Sequence, residues 1–216
     1  MRKILFFINR CWLSFSALVI LLYFKIANRL SVKGLENVAK NGGVLVASNH
    51  VSMFETIIIP SVIIFGMRRG KIYAPAKIEL FENPMLRLIL KSWGAIPVQR
   101  GSSQVSVMKI IIELLKKEVV MLFPEGTRSK TGELGKGNRM LGRLLLDAKP
   151  VIVPARIFGV EKILGVEGGR ACPFHKIELK FGTPLEMEKY YSDGGNRKEL
   201  SQKITDEVME AISAIH

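Results

Sequence analysis

From Leu30 to the C-terminus, short runs of β-forming apolar residues alternate with longer stretches of helical spacing. This alternation constrains the fold most strongly. Strand–helix–strand repeats bury their strands in a mixed or largely parallel sheet covered by helices, an α/β architecture. The strand candidates are residues 43–48, 71–76, 95–99, 119–123, 151–158 and 177–181. Helices are predicted over 56–65, over 81–93 with Leu86, Ile89 and Leu90 on one side, and over 138–148. Another is capped at Ser102 or Ser103 and carries a core stripe of Val107, Ile111, Leu114 and Leu115. A closing helix sets Leu200, Ile204, Val208 and Ile212 four residues apart. Pro60 fits its helix only near the first turns, and Pro154 marks its strand as an edge or a strand end. At 216 residues the chain is long enough for one domain, here 31–216, with an appendage over 1–30.

The appendage is apolar and basic. Cys11 to Phe24 is an apolar run broken only by Ser14 and Ser16, and extending it upstream to Ile4 takes in Asn9 and Arg10. The shorter run falls below the ~20 residues that span a bilayer. Arg2, Lys3, Arg10, Lys25, Arg29 and Lys33 surround it, and no acid precedes Glu36. Such flanks fit a segment lying in an anionic interface on the cytoplasmic face of a membrane, taken here as the cell's inner membrane. A true span and a cleaved signal also start this way, although no small-x-small cleavage site follows closely. The net charge of +13 calls for anionic partners: phosphate-bearing ligands, an acidic membrane surface or nucleic acid. No basic–aromatic platform for nucleic acid is visible. Cys11 and Cys172 lack metal-like spacing and read as thiols of a reducing compartment, so no metal site is indicated.

The chemistry centres on residues 44–55. A strand of β-formers delivers Asn49-His50 to a turn, and Glu55 follows five residues after the histidine. On one helix, positions five apart do not share a face. His50 therefore belongs to the loop and Glu55 to the first turn of the next helix. A histidine with a carboxylate so placed makes a general base. Ser52-x-x-Glu55 is equally a capping box, and His50 taken alone equally a hydrogen-bonded structural residue.

Two further loops follow candidate strands, where the sites of open α/β sheets gather. Arg100 ends residues 94–100 beside Gly101 and could bind a phosphate bidentately. Phe123-Pro124-Glu125-Gly126-Thr127-Arg128-Ser129 brings together an acid, a glycine, a hydroxyl and a guanidinium. Glu125 could accept from substrate hydroxyls, Gly126 permits close approach, and Arg128 could bind phosphate. The plain alternative is a turn with a Glu125–Arg128 surface pair. Lys136 adds a cation before the next helix.

Together with Val153-Pro154, these blocks resemble the glycerophospholipid acyltransferase family, most closely the lysophosphatidic acid acyltransferases. The family's Asn-His-x4-Asp block appears as Asn49-His50 and Glu55. Its second block matches residues 94–100, its third 123–129 and its fourth Val153-Pro154. Glu55 stands where Asp is usual, and Gln99 where an acid often precedes the arginine. The resemblance implies an acyltransferase domain over 31–216. It would move a fatty acyl group from acyl-CoA or acyl carrier protein to 1-acyl-sn-glycerol 3-phosphate, giving phosphatidic acid without a cofactor. His50 would be the base and Glu55 its partner. Arg100, Arg128 and Lys136 would hold the phosphate, and Glu125, Gly126 and Thr127 would position the glycerol part. Alternatives are another lysolipid or glycerol 3-phosphate as acceptor, water as acceptor, and a non-catalytic binder of anionic lipid.

Overall fold

A computed structural model describes residues 2–99, 104–129, 131–163, 172, 174–192 and 194–216. Its elements in chain order are α1 (Arg2–Asn28), β1 (Ser31–Lys33), β2 (Val44–Ser48), α2 (Glu55–Met67), β3 (Ile72–Lys77) and α3 (Pro84–Trp93). They continue with β4 (Ala95–Val98), α4 (Gln104–Leu114), β5 (Val119–Leu122), α5 (Met140–Ala148), β6 (Val151–Phe158) and α6 (Val160–Ile163). The chain closes with β7 (Glu178–Phe181), α7 (Glu188–Tyr191) and α8 (Arg197–Ser213). The strands form one sheet in the order β1-β7-β6-β2-β5-β3-β4, parallel throughout except for the antiparallel β6–β7 pair. The α/β fold is as expected.

The sheet separates two apolar layers. Val44 and Val46 of β2 face the cluster built with α1 and α2, while Leu45 and Ala47 face the one built with α4, α5 and α8. Every residue of β2 is buried, which explains its unbroken apolar sequence. Helix α2 is apolar on all sides and sits under α1, whose Leu13, Ala17 and Phe24 join its core. The α1 terminus is tied down too: buried Asn28 donates from its side chain to His175 O at 3.2 Å and accepts Ile177 N–H at 3.1 Å. The N-terminal helix is thus continuous in packing with the layer beneath it.

The structure corrects three expectations. Pro154 is not at an edge: β6 lies between β7 and β2, with Pro154 opposite Ala47. In an extended strand a residue's N and C=O point the same way. The Pro154 C=O accepts Gly182 N–H at 2.8 Å, just past the end of β7, so its missing N–H falls where that ladder has already stopped. Pro60 lies at the sixth residue of α2, beyond the turns whose N–H groups lack partners. The Ser61 hydroxyl bonds back to Ile57 O at 2.7 Å in the same turn. The helix expected over 81–93 begins at Pro84 because Asn83 caps it and a 3₁₀ turn, Ile78–Phe81, precedes it. The expected apolar side of that helix is not buried. The caps expected at Ser102 or Ser103 lie outside the described residues.

Helices α5 and α8 meet at Gly142. Its N–H, one of the orphan donors of a helix start, donates to Thr205 Oγ1 at 3.0 Å. A Cβ there would lie 1.8 Å from Ser201 O. Gly142→Ala should therefore force the helices apart and destabilise the protein by about 3 kcal/mol, measured as a lower Tm.

Candidate active site

The register of the sheet builds the site. Ala47 of β2 pairs with Leu122 of β5, so three residues further along both strands His50 is level with Glu125. Both loops leave the C-terminal ends of adjacent parallel strands, the position at which α/β sheets bind ligands.

Asn49 fixes the end of β2. Its Oδ1 accepts Ile157 N–H and its Nδ2 donates to Ile157 O, both at 3.0 Å. The buried amide thereby acts as one more rung between β2 and β6, and His50 is aimed by a backbone that cannot swing.

Glu55 is fully buried, and one of its oxygens does most of the holding. Oε1 accepts from His50 Nδ1 at 2.6 Å, Val51 N–H at 2.8 Å and Ser52 N–H at 2.7 Å. The pairing with His50 is met in full and the capping box in half: the N-cap is Phe54, with no side-chain cap bond, and the return of Glu55 to Ser52 N–H is the half that is present. Oε1 closes the turn as a capping-box acid does, and it grips the imidazole. Two backbone N–H groups already donate to Oε1. On that ground the hydrogen in the short contact is assigned to Nδ1, which in the neutral imidazole leaves Nε2 bare. Oε2 is buried and has no hydrogen-bond partner among the described residues. A carboxylate satisfied on one oxygen only keeps strong electrostatic pull on a neighbouring cation, at a desolvation cost of roughly 1–3 kcal/mol.

Phe123 completes the support. Its ring stacks on His50 with centroids 4.0 Å apart and planes 9° from parallel. With Nδ1 on Glu55 and one face on Phe123, the edge left over carries Nε2. The His50 side chain is 17% exposed, enough to meet a substrate without being freely hydrated. Neither the Phe123 stack nor the Asn49 clamp follows from motif reading. Both depend on strand register, for which local sequence carries no signal.

Glu125 differs from its expected surroundings. Oε1 accepts His50 N–H at 2.9 Å and Oε2 accepts Gly135 N–H at 3.0 Å. It clips the His50 turn to the loop after β5 instead of pairing with Arg128. Gly126 turns the chain at φ 72°, donating to Phe123 O at 3.0 Å, and Ser129 N–H returns to His50 O at 2.8 Å. Gly126, Thr127 and Arg128 are exposed and sit between these two attachments, so the loop brings them alongside His50. Arg128 has no ion-pair partner among the described residues. Lys136 is exposed and lines a cleft of about 550 Å³ with Gln202, Asp206 and Met209, toward α8. Arg100 lies outside the described residues, after edge strand β4. An apolar cavity of about 360 Å³ between α1 and α2 is lined by Leu18, Leu21, Val62 and Phe65. It sits at the far end of α2, some ten residues or about 10–15 Å from Glu55. Among the described residues no cluster of His, Cys, Asp or Glu could hold a metal ion.

The acyltransferase family pattern matches residues 29–158, and the chain belongs to that family. It is 33% identical over 174 residues to the chloroplastic 1-acyl-sn-glycerol-3-phosphate acyltransferase LPAT1 of Arabidopsis thaliana, covering 77% of this chain and 45% of that protein. It is 29% identical over 163 residues to the 1-acyl-sn-glycerol-3-phosphate acyltransferase of Bacillus subtilis, covering 74% of this chain and 76% of that protein. The chain spans about half the length of the chloroplast relatives it matches. The crystal structure of the 1-acyl-sn-glycerophosphate (LPA) acyltransferase PlsC from Thermotoga maritima shares the fold. It has a TM-score of 0.62 over 100% of this chain and 99% of that one, at 17% identity.

Because Glu125 holds backbone on both oxygens, Glu125→Gln should cost about 1–3 kcal/mol of stability and lower kcat with the acceptor KM little changed. A raised KM alone, at unchanged Tm and kcat, would instead make Glu125 a substrate ligand.

Proposed function

We propose that the protein transfers a fatty acyl group from an acyl thioester to the free hydroxyl of 1-acyl-sn-glycerol 3-phosphate, giving phosphatidic acid for phospholipid synthesis. The observation that carries this is the His50–Glu55 pair, held at 2.6 Å at the mouth of two parallel strands. The activity for which the relatives are named supports the choice of acceptor. His50 Nε2 takes the proton from the acceptor hydroxyl, and Glu55 stabilises the imidazolium that results. The oxygen attacks the thioester carbonyl, the C–O bond forms and the C–S bond breaks. The leaving thiolate then takes the proton from His50. His50 serves as base and then as acid, and the step needs no cofactor and no covalent acyl-enzyme. Acyl-CoA and acyl carrier protein both present the required thioester. Arg128 holds the acceptor phosphate, a reading supported by its exposure and by its having no ion-pair partner among the described residues. Arg100 and, more weakly, Lys136 join it.

Helix α1 supports a membrane site for this reaction. Residues Ile4–Asn28 are long and apolar enough to cross a bilayer. One stripe of α1, through Leu13, Ala17 and Phe24, is buried on the protein. A second stripe, at Ile8, Trp12, Phe15, Val19, Leu22 and Ile26, faces outward. A helix docked along one side presents lipid with its other side only. α1 then lies in the interface of one leaflet, on the cytoplasmic face of the cell's inner membrane, with the basic flanks toward anionic headgroups. The lipid acceptor can be met where it resides.

Acyl transfer from labelled acyl-CoA or acyl carrier protein to 1-acyl-sn-glycerol 3-phosphate tests the proposal. Wild type should form phosphatidic acid, and His50→Ala should be slower by about 100- to 10,000-fold. Product formed equally by both proteins would remove His50 from the chemistry. Arg128→Ala should raise the acceptor KM about 10- to 150-fold, the worth of one charge-assisted contact; an unchanged KM would place the phosphate elsewhere.

A further inference from the structure

Helix α3 half-buries Leu90 and Trp93, with Trp93 against the α1–α2 core, but turns a second apolar side outward. Among the described residues none of its ten is buried, and Met85 and Leu88 are 75% and 73% exposed. A helix this short is marginal alone in water, and helices of folded proteins are held by a buried apolar stripe. The caps are complete: Asn83 Oδ1 accepts Met85 and Leu86 N–H, each at 3.0 Å, and Gly94 N–H closes on Leu90 O at 3.1 Å. Caps set the ends of a helix but do not replace a partner for its face.

That face is joined to another. At 3.6 residues per turn, Met85, Leu88, Ile89 and Ser92 lie together, with Arg87 and Lys91 on the other side. Ser92 Oγ accepts from Trp12 Nε1 at 3.0 Å, and Trp12 belongs to the outward stripe of α1. The two exposed apolar faces thus form one surface, which Ile78 and Leu80 of the preceding 3₁₀ turn extend. Cations border it: Arg10, which donates to Arg68 O at 2.9 Å, and exposed Arg87 and Lys91. Glu79 and Glu82 are the acids on that 3₁₀ turn and the start of α3.

We propose that α3 is a second membrane-contact element: a bilayer with anionic headgroups covers the joined α1–α3 face. It buries Met85, Leu88 and Ile89 together with Trp12 and Phe15, and Arg10, Arg87 and Lys91 sit at headgroup level. The inference rests on the interfacial placement of α1 proposed above. Continuity with α1 and the basic border favour lipid over a protein partner. Two helices on one plane also fix the rotation of the domain about α1, which one helix alone leaves free.

The test uses full-length protein with Cys11→Ser and Cys172→Ser, and an environment-sensitive dye at Leu88→Cys or, separately, at Val19→Cys on α1. Phosphatidylcholine vesicles containing phosphatidylglycerol are then added. Both dyes should shift to the blue and be quenched by spin-labelled lipid. A dye at 19 that enters lipid while the dye at 88 stays in water overturns the role of α3 and leaves α1 as the anchor. If neither enters, the placement of α1 fails and the role of α3 fails with it. A dye at 88 that responds to acyl carrier protein and not to vesicles also overturns the proposal and assigns the face to a protein. Independently, Met85→Ser with Leu88→Ser should weaken vesicle partition about tenfold or more. Acyl transfer to lysolipid in vesicles should fall with it, while transfer to a monomeric short-chain acceptor stays the same. Unchanged partition of that variant contradicts the proposal.

Discussion

One oxygen atom organises this protein. Glu55 Oε1 accepts from two backbone N–H groups and an imidazole, each between 2.6 and 2.8 Å. The backbone bonds shape the turn between β2 and α2, and the third bond orients His50 within that turn. The imidazole is therefore built into the same hydrogen-bond set that starts the helix. Burying a carboxylate beside an all-apolar helix is costly unless donors meet it, and here the donors are supplied by the turn itself.

Everything around this atom limits movement. Asn49 joins β2 to β6 with two amide bonds, Phe123 of the adjacent loop backs the imidazole, and Glu125 and Ser129 attach that loop to the His50 main chain. These contacts come from β2, β5 and β6, three neighbours at the centre of the sheet. Catalysis by a positioned base depends on such preorganisation. Gly126, Thr127 and Arg128 are left exposed beside His50.

Much of this was legible in the sequence. The apolar run at 44–48 and the spacing of Leu200, Ile204, Val208 and Ile212 each follow from burial, and all are buried. The pairing of His50 with Glu55 followed from the turn between a strand and a helix. Pro154 misled because a proline normally signals an edge, and only the place where β7 ends shows why a central strand admits it. Glu125 suggested a ligand for hydroxyls; its engagement with His50 N–H depends on a register between strands some 75 residues apart, which local pattern does not carry. On α3 the spacing picked out Leu86, Ile89 and Leu90 but not the more exposed Met85 and Leu88 beside them, and periodicity does not say whether protein or lipid lies opposite.

The ¹⁵N signals of His50 test the function of Glu55 most directly. The chain has three histidines, so labelling them leaves a spectrum that substitution can assign. In solubilised protein near neutral pH, His50 should show a protonated Nδ1 with a strongly downfield proton and an unprotonated Nε2. Glu55→Gln should abolish the downfield proton. A His50 that carries its proton on Nε2 in the wild type would contradict the role assigned to Glu55, because the nitrogen facing the acceptor could not then receive one.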